Sequence, residues 1–125
     1  MLKSKYLYIP NMSVVNCKVK FIRPQYKNLK EWMEDENNVY IGRRGVVFID
    51  GVRFPKTNST FCNIFKVGKD GTRQEVIIKY KDYIITKLKE DPDLQNELNK
   101  MKGKNLGCWC CPELCHGNVL LELIN

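Results

Sequence analysis

The chain has 125 residues, 43% of them hydrophobic and 28% charged, with a formal net charge of +7. That length and balance describe one globular domain able to bury a core. They exclude a membrane span, since no apolar run approaches the roughly 20 residues one requires, and Met1 to Tyr6 has no signal-peptide pattern.

The first thirty residues hold Lys3, Lys5, Lys18, Lys20, Arg23, Lys27 and Lys30 and no acid, so the whole charge excess lies there. Tyr6, Tyr8, Phe21 and Tyr26 are interleaved with these cations. Basic side chains among aromatics can follow a phosphate backbone, which makes Lys18 and Lys20 candidate nucleic-acid contacts. A solvated strand face accounts for them equally well.

Residues 1–13 read as an N-terminal arm ending near Pro10-Asn11, and 14–125 as the domain. Val14 to Phe21 alternates, which predicts a strand with Cys17, Val19 and Phe21 on one face and Lys18 and Lys20 on the other. Leu29 to Glu36 predicts a short helix around Trp32, and Val39 to Gly42 a second strand. Val46–Ile49 and Val52–Phe54 flank Asp50-Gly51, the turn pair of a tight hairpin. After a loop, Asp70-Gly71-Thr72 opens a long helix with Val76, Ile77, Tyr80, Tyr83, Ile84 and Leu88 on one face. Pro92 begins a shorter helix that Gly103 ends. Asn105 to Trp109 predicts a buried strand and Asn118 to Ile124 a last helix. The fold class is α/β: a small central mixed sheet flanked by helices, in a single compact domain.

Chemistry concentrates in Gly107 to Gly117, which holds four of the six cysteines and the single histidine. With no secretory signal the compartment reads as intracellular and reducing, so these cysteines are thiols or ligands rather than a disulfide framework. Cys108 and Cys110 share a strand face, Pro112 turns the chain, and Cys115 and His116 arrive at a helix N-terminus that favours a thiolate or an anion. Three readings stand. Cys108, Cys110, Cys115 and His116 are zinc or iron ligands; or Cys115 builds a nucleophile or anion-binding site with His116 or Glu113; or the cysteines are small core residues and His116 caps the helix. Cys111 carries no role in any of them. Arg43 and Arg44 follow a strand among glycines and read either as phosphate-binding residues or as solvated turn arginines. Asn63 lines the site if residues 61–65 fold over it, while Tyr80 and Trp109 read as core.

Gly103-Lys104-Asn105-Leu106-Gly107-Cys108-Trp109-Cys110, Pro112 and Cys115-His116-Gly117-Asn118-Val119-Leu120-Leu121-Glu122-Leu123 resemble the signature of the domain of unknown function 4326 family of phages, bacteria and large DNA viruses. Val14-Val15-Asn16, Val39 to Arg43 and Gly68 to Ile77 fit it too. The resemblance spans about residues 14–125 and implies a compact α/β domain, not an activity. Phe61-Cys62-Asn63-Ile64-Phe65 stands where that family usually has a Trp-Gly-Asn-Pro-Phe-like segment, and Asn118 where it often has Asp. The sequence thus reads as a viral or phage domain, in host cytoplasm or virion, binding a nucleotide or nucleic-acid phosphate at a Cys/His site. The competing class is a non-catalytic accessory protein with structural cysteines, whose basic segment docks on nucleic acid or a viral protein assembly.

Overall fold

The computed structural model describes residues 13–110 and 113–124. The expected arm, apart from Ser13, lies outside the described residues, as do Cys111 and Pro112. In chain order the elements are β1 (Ser13–Asn16), α1 (Val19–Ile22), α2 (Leu29–Glu34), β2 (Asn38–Tyr40), β3 (Val47–Ile49), β4 (Val52–Phe54), α3 (Arg73–Glu90), α4 (Pro92–Asn99), β5 (Asn105–Cys108) and α5 (His116–Leu123).

Three strands form a parallel sheet in the order β1-β5-β2, with Ser13 and Asn38 both opposite Asn105. Side-chain amides fix part of this register, because Asn105 Nδ2 donates to Asn38 Oδ1 at 3.0 Å. β3 and β4 pair antiparallel in a separate sheet. The α/β class and the flanking helices match the sequence reading. The parallel and antiparallel pairings it expected in one sheet are divided between two.

Side chains alternate along β5 and so build two cores. Leu106 and Cys108 face α3, α4 and α5, where Ile77, Tyr80, Ile84, Leu98 and Leu120 are buried. Gly107 points the other way, toward Cys17, Ile22, Leu29 and Trp32. A Cβ at Gly107 would lie 2.4 Å from both Cys17 Sγ and the Trp32 ring, so only glycine admits this approach.

Local chemistry explains most boundaries. Asp50 and Gly51 hold positive φ angles of 52° and 79°, as a type I′ hairpin needs. Thr72 and Glu75 cap α3 reciprocally: Glu75 N donates to Thr72 Oγ1 at 3.2 Å and Thr72 N to Glu75 Oε1 at 2.8 Å. α4 ends at Asn99, before Gly103, whose φ of 82° then turns the chain into β5.

One expectation fails. The strand begun at Ser13 stops at Asn16 instead of running to Phe21. Asn16 Oδ1 accepts the Lys18 N–H at 2.9 Å, and this local bond starts the turn of α1. Cys17 is fully buried while Phe21 is 56% exposed, so the two do not share a face. No helix among the described residues is long and apolar enough to cross a membrane.

Candidate functional site

β5 delivers Cys108 to the carboxyl end of the sheet, with Cys110 two residues further on. Cys115 returns as the N-cap of α5, so strand end and helix start bring their thiols together. Its Sγ accepts the Gly117 N–H at 3.4 Å, and its own N–H donates to Asn118 Oδ1 at 3.0 Å. Asn118 thus does the capping that a carboxylate at this position would do.

The sulfurs of Cys108, Cys110 and Cys115 all lie within 4.8 Å of one another. Cys115 Sγ is 2.9 Å from Cys108 Sγ. Two thiolates at that separation would repel strongly, so a proton or a cation must lie between them. No disulfide joins the described cysteines.

Proton sharing separates the thiols electrostatically. Hydrogen bonds from Cys108 and Cys115 hold Cys110 well below the ordinary thiol range, and the Arg73 guanidinium adds to this. Hydrogen bonds with Cys108 and Cys110, together with burial, push Cys115 up. The arrangement thus favours the charged form at half-buried Cys110 and disfavours it at Cys115. Cys115 is fully buried and only Cys108 and Cys110 reach the cavity described below.

His116 lies beside this cluster and outside the group of mutually close sulfurs. Its Nε2 is 2.7 Å from the Ile41 carbonyl oxygen, which fixes the proton on Nε2. Nδ1 is left as an acceptor 3.5 Å from Cys115 Sγ. Burial lowers the imidazole pKa despite the carbonyl contact, so the ring is neutral. It also meets Tyr80 edge-on at 5.0 Å.

A cavity of about 430 Å³ opens onto the cluster, with Cys108, Cys110 and His116 among its lining residues. Val46, Phe65, Val67, Val76, Ile77 and Trp109 form apolar wall, and Arg43, Lys66 and Arg73 bring positive charge. Arg43 is half-spent on architecture. Its Nε and Nη2 donate to the Asn63 carbonyl at 3.0 and 2.7 Å, and Nη2 also to the Phe65 carbonyl at 3.0 Å. Arg73 stands in the first turn of α3, 3.6 Å from Glu113. Trp109 donates its Nε1–H to Tyr40 Oη at 2.9 Å.

The structure therefore brings Cys108, Cys110, Cys115, His116, Arg43 and Asn63 to one place. Arg44 is exposed on the following loop, its backbone N–H on Asn58 Oδ1, and does not line the cavity. Lys18 and Lys20 are exposed at α1, also away from it. Tyr80 is core, but Trp109 is a cavity wall. Lys66 and Arg73 gained no ligand role from the sequence. They come from an irregular segment and from a helix start that only the tertiary fold carries to β5.

A model of the family "Domain of unknown function (DUF4326)" matches residues 24–125. An uncharacterised 12.4 kDa protein of the nrdA–td intergenic region of Enterobacteria phage T4 is 35% identical over 60 residues, covering 47% of this chain and 56% of its own. An uncharacterised protein of Acanthamoeba polyphaga mimivirus is 32% identical over 94 residues, covering 69% of this chain and 65% of its own. The chain thus spans less than two thirds of the length of either relative. No solved structure matches it significantly.

Proposed function

The chain belongs to the DUF4326 family, and from that premise we propose that it binds a phosphorylated ligand of nucleotide size in the cavity above the Cys108–Cys110–Cys115 cluster. One observation carries the reading: apolar walls, Lys66, Arg73 and the thiols of Cys108 and Cys110 all belong to a single cavity at the carboxyl ends of β2 and β5. Parallel α/β sheets gather ligands at that edge. The volume falls within the roughly 300–1,000 Å³ of small-molecule sites. The cations match a phosphate, and Phe65 and Trp109 supply aromatic surface for a base.

The cofactor this cluster fits is zinc. Tetrahedral zinc holds sulfur at about 2.3 Å, which places its thiolates within about 4 Å of one another. The mutual sulfur distances here meet that requirement with small adjustment. Cys108, Cys110 and Cys115 would hold the ion, which would supply Lewis acidity at the cavity floor.

Titration calorimetry with mononucleotides and with inorganic phosphate tests the ligand. Binding that weakens in Lys66→Gln and Arg73→Gln supports it. Failure of every nucleotide and of phosphate to bind at millimolar concentration removes it. Metal analysis of protein purified without an affinity tag tests the cofactor, with one zinc per chain the supporting result and none the refuting one.

A further inference from the structure

Asn63 is the polar side chain whose position the phosphate reading does not use. It is only 8% exposed and lines the cavity. Its Oδ1 accepts the Phe65 N–H at 2.9 Å. A backbone N–H can only donate, so this contact fixes which amide atom is oxygen. Nδ2 then carries two donors with no hydrogen-bond partner among the described residues. Buried donors left unmade cost free energy, and such groups in native structures answer to water or a ligand. The segment is also anchored, because Arg43 donates to the Asn63 and Phe65 carbonyls.

We infer that Asn63 reads the base of the bound nucleotide and selects bases with a carbonyl at the ring position where adenine and cytosine carry their amino group, the 6-oxopurines and 4-oxopyrimidines, over adenine and cytosine. This deepens the nucleotide reading above and rests on it. An asparagine normally recognises adenine by using Oδ1 and Nδ2 together. Here Oδ1 is occupied by Phe65, so only the donor half of that pair remains. At that ring position the amino group of adenine or cytosine would meet another donor, whereas a carbonyl oxygen would accept from Nδ2. Trp109 has its own N–H engaged by Tyr40 and adds no competing donor to the wall.

The test compares GMP, IMP, UMP and dTMP with AMP and CMP by titration calorimetry, with inorganic phosphate alongside. The oxo bases bind more tightly by roughly tenfold to a hundredfold, the discrimination one well-placed base contact supplies. Asn63→Asp keeps the acceptor for Phe65 and replaces the free donor by an acceptor. Its negative charge weakens every nucleotide, but the preference ratio inverts toward amino bases. A wild-type ratio near one overturns the inference even if the variant does not fold, and so does an unchanged ratio in a folded variant. Binding of inorganic phosphate as tight as that of any nucleotide overturns base reading while leaving phosphate binding intact. Absence of binding by nucleotides and phosphate alike defeats the functional reading and this inference together.

Discussion

Replacing Arg43 separates architecture from ligand binding. Its guanidinium makes three hydrogen bonds to two carbonyls of the segment that carries Asn63 and Phe65. Bonds from a charged donor contribute about 1.5–3 kcal/mol each. The three share one guanidinium that is only half-buried, so their sum is discounted to about 3 kcal/mol. In a chain of this size 1 kcal/mol moves the melting temperature by about 4 °C. Arg43→Ala should therefore melt about 10 °C lower and lose ligand binding, because the Asn63 wall loosens. Arg43→Lys, whose single ammonium replaces part of the fork, should lose about half as much. Arg73→Ala removes a 3.6 Å ion pair to the exposed Glu113, worth less than about 1 kcal/mol, and the guanidinium beside Cys110. It should weaken nucleotide binding with little change in melting. Circular-dichroism melts and calorimetric titrations on the three variants give the comparison. If Arg43→Ala melts within about 2 °C of the parent, the guanidinium is not what holds residues 61–65 and the reasoning is refuted.

Three further outcomes follow from the same geometry. Gly107→Ala forces a methyl against Cys17 and Trp32 in the central strand and should cost at least about 2–3 kcal/mol, read by denaturant unfolding. Burial raises the Tyr40 pKa to about 12, against about 10 when unfolded. Below pH 10 the phenol is neutral in both states. Between 10 and 12 the unfolded state ionises first, so about 2–3 kcal/mol is lost across that window, and Tyr40→Phe should flatten this alkaline limb. Cys115→Ser keeps a favoured N-cap residue for α5, so its effect reports the thiol cluster. It should release zinc and remove the fall in melting temperature that a chelator causes in the parent. An unchanged chelator response in the variant would mean the cluster does not bind the ion.

The legible parts of this molecule are those decided within a few residues. Asp50-Gly51 dictated its hairpin, and Thr72 with Glu75 marked where α3 starts. The meeting of Cys108 and Cys115 also followed locally, from a strand end and a helix start seven residues apart. Period-two alternation misled at Lys18 to Phe21, because one side-chain bond from Asn16 outweighed four residues of pattern. The cavity's cations were invisible for another reason. Lys66 and Arg73 come to line one cavity with Cys110 only through the tertiary fold, and no local signal encodes that meeting. Nor could sequence reveal that the charged form is favoured at Cys110 and disfavoured at Cys115, since this depends on how the three thiols hydrogen-bond one another.

The strand order has a consequence for how the chain assembles. β5 occupies the middle of the sheet and is the last of the three strands to appear along the chain. Its contacts reach back 92 residues to β1 and 67 to β2. β1 and β2 form no ladder with each other, so among the described residues neither has a strand partner before Asn105–Cys108 is made. On the ribosome, helices such as α3 are able to form early, because their bonds are local. The sheet must wait, paying the closure of both long loops in one late event. Cavity and hydrophobic centre thus come into being together, when the segment bearing the thiols slots between two strands made long before it.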